Sequence, residues 1–441
     1  MKIFNKKTMI IISLISIILL GTGSYIYCNS IPKEEPLIGA YIDGKYSNTL
    51  PTKNSGYVVK KIVCDNSNNA TWDEDKWGLK LSNLSGRNKC NIYFETKKPS
   101  LTEAITTAMS SNPSMFASDD PDKNIRFIGA NPNNYVYFNC SDYANPTADT
   151  CELWRIIGVF NNVTKSDGSK ENLVKIIRAD SLGNFPWDNK EEGVGTSTEE
   201  YGSNDWTDSQ LMMMLNPTNY LKSGYTNSSD IISSGSQQLY SKMGSYYNGT
   251  KGCKPKAVES GASFCCIEVD FTSTGLKNDT TRNAIEEVVW NLGGTDAYNT
   301  STASMFYTAE RGTTVYTGRP TIWTGKVGLM YPSDYGYATS GGTTKDRAAC
   351  LAKELFNWTS WTSSEFSDCK GNDYLYNSSY QWTLAPYSAN AYYVFYVDLG
   401  GYGNYNAYYT SVVRPALFLK SNIQVDKGTG VKSDPYTLSV N

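Results

Sequence analysis

Ala391-Tyr392-Tyr393-Val394-Phe395-Tyr396-Val397-Asp398-Leu399, Gly400-Gly401-Tyr402-Gly403-Asn404, Tyr405-Asn406-Ala407-Tyr408-Tyr409-Thr410-Ser411-Val412-Val413 is the stretch on which the fold turns. Residues 391–399 alternate as a strand, 400–404 read as a glycine-rich turn, and 405–413 read as the returning strand. Residues 414–419 and 436–440 follow as two closing strands. Further upstream, Tyr135–Phe138, Trp154–Phe160 and Leu173–Arg178 are apolar and β-branched or aromatic runs, also read as strands. Helices are expected where caps precede apolar spacing of three and four. One follows the Ser100–Glu103 capping box, with Ile105, Ala108 and Met109 on its inner face. Others are expected over Thr207–Leu215, after Thr281 with Ile285, Val288, Val289 and Leu292 inward, and over Thr344–Phe356. Helices mixed with antiparallel hairpins, without βαβ alternation, give an α+β class.

Residues 30–97 read differently. After the polar, Pro-flanked segment 30–36, short strands are expected at Ala40–Lys45, Gly56–Cys64, Trp77–Ser82 and Cys90–Phe94. This is a small all-β domain in which a Cys64–Cys90 bridge ties the second strand to the fourth. About 60 residues are marginal for an unaided core, so a staple is expected there. The other cysteines also fall into local groups, which predicts Cys140–Cys151 and Cys350–Cys369 bridges. Cys253 pairs with Cys266 or Cys265 and leaves one thiol over.

The N-terminus sets the compartment. Lys2, Lys6 and Lys7 precede an apolar run from Met9 that reaches 19 residues if counted to Tyr27. Residues 1–29 are therefore expected to be a signal or transmembrane anchor. Either an uncleaved anchor or a cleaved signal peptide, with Gly21 and Gly23 before the cut, places the remainder outside the cytoplasm. The chain contains no His, which excludes Ser-His and Cys-His catalysis and His-ligated zinc. It has 40 basic and 43 acidic residues with no basic run, so no nucleic-acid partner is expected. No cofactor or metal is expected.

The motifs Trp358–Glu365, Gln381–Pro386 and Val413–Leu417 resemble a bacterial surface-protein family, similar to the Fibrobacter succinogenes major paralogous domain and related gut-bacterial domains. Leu153–Gly158, Asn204–Leu211 and Val327–Met330 fit the same resemblance, which covers most of residues 125–441. It implies a C-type-lectin-like fold of the formylglycine-generating-enzyme kind for residues 98–441. The catalytic thiol pair of that enzyme has no counterpart here, and the Glu-Pro-Asn and Trp-Asn-Asp strings of calcium-dependent lectins are missing. Residues 387–411 also resemble the Tyr-, Asn-, Ser- and Ala-rich variable face of diversity-generating-retroelement proteins.

The expected function is that of an extracellular or surface-displayed binding module for glycan or protein ligands, with a membrane contact through residues 1–29. Tyr387, Asn390, Tyr392, Tyr402, Tyr405, Asn406, Tyr408 and Tyr409 are the candidate contacts, because Tyr gives contact area and a hydroxyl while Asn both donates and accepts. Against this stands a plain reading, a Tyr-rich sheet in a Tyr-rich protein. Trp382 is expected in the core and Arg414 paired with a carboxylate. A carboxylate-based polysaccharide hydrolase is the alternative function, for which Glu199-Glu200 and Glu286-Glu287 are the acids to consider. Asp120–Asn124 has acids at calcium-loop spacing but lacks the loop's Gly and final Glu, so a solvated turn is expected.

Overall fold

In the computed structural model the described residues are 37–65, 70–81, 89–188, 201–216, 276, 279–358, 366–376, 379–398 and 401–440. Strand outweighs helix, 39% against 17%, so the class is α+β with sheet dominant. The expected N-terminal anchor at 1–29, the Cys253–Cys266 pair and Glu199-Glu200 lie outside the described residues. Among the described residues no helix is long and apolar enough to cross a membrane. The chain divides into two compact units between Lys97 and Lys98.

The first unit is all-β. Strands β1 (Leu37–Ile42), β2 (Lys45–Ser47), β3 (Tyr57–Cys64) and β6 (Lys89–Thr96) form a sheet in the order β2-β1-β6-β3. Cys64 and Cys90 are register partners on β3 and β6 and are joined by a disulfide. The expected strand at 77–82 is instead one arm of a separate hairpin, β4 (Ala70–Asp73) with β5 (Gly78–Leu81). Trp77 belongs to its turn, at φ +48°. The hairpin's Trp72 packs edge-on to Phe94 at 5.5 Å, covering a core of Ala40, Ile92 and Phe94.

The second unit is built on a seven-stranded sheet. Its centre is β10 (Glu152–Thr164) paired with β11 (Lys170–Arg178). On the β10 side lie β7 (Phe116–Ala117), β8 (Ile125–Phe127) and β9 (Tyr135–Phe138); on the β11 side lie β20 (Ala416–Leu419) and β15 (Val327–Gly328). Residues 153–160 and 173–177, apolar apart from Arg155 and Lys175, are almost wholly buried, as expected when both sheet faces are covered. A second sheet runs β12 (Asn184–Pro186), β19 (Thr410–Val412), β16 (Gln381–Pro386), β17 (Tyr393–Asp398), β18 (Gly401–Asn406). Two-stranded sheets pair β13 (Val288–Asn291) with β14 (Ile322–Gly325), and β21 (Gln424–Lys427) with β22 (Thr437–Ser439).

Helix α1 (Leu101–Ser111) starts at the expected capping box: Ser100 Oγ accepts from Glu103 N at 3.1 Å, and Ser100 N donates to Glu103 Oε2 at 2.7 Å. Three other helices depart from expectation. Thr207–Leu215 splits into a 3-10 turn, Trp206–Asp208, and helix α2, Gln210–Leu215, because Asp205 caps the first and Ser209 the second. The helix after Thr281 ends at Ala284 (α3, Asp279–Ala284), and Val288–Asn291 is a strand. Spacing alone suited both forms there; pairing of Trp290 with Trp323 across β13–β14 decided it. The last, α6 (Arg347–Ala352), starts at Asp346 and stops at extended Lys353, and a 3-10 turn follows at Leu355–Asn357. Between them lie α4 (Ala303–Glu310) and α5 (Pro332–Ala338). Disulfides join Cys140 to Cys151 and Cys350 to Cys369, as their spacing predicts.

Candidate functional site

The C-terminal hairpin folds more tightly than its glycines suggest. Asp398 pairs with Gly401, so the return strand runs 401–406, not 405–413. Gly403 serves the strand: it lies opposite Tyr396, and a Cβ there would sit 2.8 Å from the Tyr396 hydroxyl and 2.9 Å from its ring. The aromatic ring covers the glycine, and the glycine makes room for the ring. Residues 407–409 then turn, and β19 leaves the hairpin to pair with β12 and, in parallel, with β16.

This arrangement gathers tyrosines into one connected group. Tyr405 stacks on Tyr409 and Tyr409 on Tyr408, both at 4.2 Å between ring centres. Tyr408 continues to Tyr201 at 6.0 Å and Tyr201 to Tyr392 at 5.1 Å. On the other side Tyr405 meets Tyr396 at 5.8 Å, and Tyr396 meets Tyr380 at 5.2 Å. Tyr380, Tyr405 and Tyr409 are 51%, 43% and 36% exposed. The hydrogen bond with Tyr409, together with partial burial, pushes the Tyr408 phenol up to about 12, and burial raises Tyr405 as well. Both therefore keep their protons near neutral pH and can donate.

The expected contacts divide by environment. Tyr405, Tyr409, Tyr408 and Tyr392 lie in the connected group. Tyr387 is half-buried against Phe395 and Tyr298, and belongs to the support. Asn390 is also support: its Oδ1 accepts from Tyr392 N at 3.1 Å and Tyr393 N at 2.7 Å. Asn406 is half-buried, and among the described residues its Oδ1 has no hydrogen-bond partner. The Tyr402 side chain lies outside what is described. Tyr201 and Tyr380 lie outside the 387–411 stretch, and nothing local in the sequence marks either as part of this face. Buried Asn204 also went unseen as a staple: its Nδ2 donates to the carbonyls of Tyr387, Asn390 and Tyr393 at 2.9–3.0 Å.

The framework residues are buried and hydrogen-bonded. Trp382 is buried, as expected. Among the described residues Arg414 is not paired with a carboxylate: Nε donates to Arg178 O at 2.8 Å, and Nη1 to Leu375 O at 3.0 Å and to Gln381 Oε1. Asp120–Asn124 is not a solvated turn either, because Asp120 and Asn124 are both buried. Asp120 Oδ2 accepts from Arg126 Nε at 2.6 Å, Arg126 reaches Asp334 at 2.8 Å, and Lys175 reaches Asp334 at 2.6 Å. Burial opposes the Asp334 charge, but Lys175 and Arg126 outweigh it and hold the carboxyl at about 2.

Other acids have structural surroundings. Burial pushes Glu310 up to about 7 although Arg311 lies alongside, and Ser333 donates to it through N at 2.8 Å and Oγ at 2.6 Å. Glu286 and Glu287 lie between α3 and β13, not on a helix, and their backbone groups bond Phe418 and Ser166. A cleft of about 240 Å³ borders α4 and β13, and Asp122 is the carboxylate in its lining. Among the described residues no group of three or more Cys, Asp or Glu could hold a metal ion. Compared with family models, with curated proteins and with solved structures, the chain matches none.

Proposed function

We propose that this chain is an extracellular or surface-displayed binding module of C-type-lectin-like architecture, which recognises glycan or protein ligands through its tyrosine-rich C-terminal face. The observation that carries the reading is the stacked series Tyr408–Tyr409–Tyr405, exposed at one end and seated on a sheet whose Val394, Phe395 and Val397 are buried. Tyrosines held in this way offer amphipathic area with little entropy left to lose on binding. Three local disulfides fit a compartment outside the cytoplasm, reached through the N-terminal segment. Hydrolysis by two carboxylates has less support among the described residues, where the cleft beside α4 contributes one carboxylate.

Screening the full chain on arrays of glycans and of cell-surface proteins would supply a ligand. Tyr405→Ala and Tyr409→Ala should then each weaken binding by about 2 kcal/mol, the scale of aromatic hot spots, with an unchanged melting temperature. A fall in melting temperature without a binding defect would make these tyrosines structural and end the proposal.

A further inference from the structure

The cleft near α4 shares no residue with the tyrosine face and stands as a separate site. One wall is the end of β10, where the register slips between Phe160 and Val163 and Asn162 takes φ +54°. The slip turns Asn162 outward and leaves its backbone N–H bonded to Asn172 Oδ1 at 3.1 Å. The facing wall is Asn291 on β13, whose backbone N–H and C=O are both taken by the Tyr331 hydroxyl, at 2.9 and 3.1 Å. Among the described residues the side-chain amides of Asn162 and Asn291 and the Thr164 hydroxyl make no hydrogen bond. All three line the cleft.

Charge in the cleft is balanced. Arg311 lies 3.2 Å from Glu310 and 3.8 Å from Asp122, and its guanidinium covers the Tyr307 ring at 3.3 Å. Asp122 accepts from Tyr307 Oη at 2.6 Å and is otherwise half-exposed. A phosphate would find a cation already countered, and an ammonium would find a carboxylate already countered. Amides and hydroxyls both donate and accept, as do the hydroxyls of a sugar, whereas phosphate oxygens only accept and ammonium groups only donate. The rings of Trp290 and Tyr331 supply an apolar boundary for the ring carbons. A volume of about 240 Å³ is below the roughly 300–1,000 Å³ of pockets for drug-sized ligands and suits one pyranose.

We propose that the cleft between Asn162 and Asn291 binds a single uncharged saccharide ring, with Asn162, Asn291 and Thr164 as hydrogen-bonding groups and the Asp122–Arg311 pair closing one end. Saturation-transfer NMR of the full chain with the methyl glycosides of glucose, galactose, mannose and N-acetylglucosamine tests it. Glucose 6-phosphate and glucosamine serve as charged controls. At least one neutral glycoside should bind with a Kd near ~1 mM, ahead of both charged sugars. Asn162→Gly, which suits the left-handed backbone there, and Asn291→Ala should each weaken it by about 10-fold, the loss expected for one hydrogen bond. Tyr405→Ala should leave this affinity unchanged, so failure here and failure of the tyrosine face are separable. No transfer from any neutral glycoside, tighter binding of a charged sugar, or an unchanged Kd in both asparagine variants would overturn the proposal.

Discussion

Asp334 shows how much one side chain can hold. Its Oδ2 accepts from Tyr331 N at 2.9 Å and so caps α5, while the same carboxylate pairs with Lys175 and, together with Asp120, with Arg126 in the core. Lys175 is fully buried, and its ammonium also lies 4.3 Å from the Tyr331 ring centre and 5.2 Å from that of Trp290. Nearby Glu310 has the opposite character. Its pKa rises from 4.5 to about 7, so between those values the folded chain keeps a proton that the unfolded chain has lost. Raising the pH through this window therefore favours unfolding, by up to ~3 kcal/mol for a fully buried carboxyl. Urea unfolding at pH 5 and at pH 8 should show stability falling with pH, and Glu310→Gln should flatten that slope. A slope identical in the variant would assign the pH dependence elsewhere.

At the scale of elements, the best-read segments were those with a local cause. The Ser100–Glu103 box starts α1 where it should, and the runs at 135–138, 154–160 and 173–178 are strands. Segments whose cause is remote differ from what their sequence suggests. Val288–Asn291 has helical spacing yet pairs with β14, and the glycines at 401 and 403 suggested a loop where a strand passes a tyrosine. Gly158 is a related case on β10. It adjoins a register slip, and a Cβ there would run into the Ile125 carbonyl oxygen on β8. Backbone cannot step aside as a flexible side chain does. Gly158→Ala should thus cost about 2 kcal/mol or more and loosen the β8–β10 pairing. Loss of amide protection at Ile125 and Arg126 in hydrogen exchange would report it; unaltered protection and stability would refute the close approach.

On the scale of the whole molecule, the two compact units predict two unfolding events. Among the described residues the small unit has a core of three buried side chains and one disulfide, so it leans on that bridge. Calorimetry of the full chain should resolve two transitions. The smaller should carry ~40 kcal/mol, the enthalpy of about 60 residues at ~0.7 kcal/mol each. Replacing Cys64 and Cys90 together by Ser should lower only that transition, by an amount in keeping with ~3 kcal/mol for a loop of this length. A single cooperative transition, or a shift in both, would show the units to be coupled.

Much of this protein is local, and the sequence by itself determined that part. Caps, apolar runs and three disulfides, spanning 26, 11 and 19 residues, all follow from neighbours along the chain. The candidate face was half legible: its strands stood out by composition, but Asn390 and Tyr387 turned out to support it, and Tyr201 and Tyr380 to extend it. Only the tertiary structure decided these roles. The same holds for the buried charges, where Lys175 and Arg126 meet Asp334 across 159 and 208 residues of chain. A charge or an amide carries no local sign of its partner; burial and pairing are properties of the packed core, and they exist only once distant strands have come together.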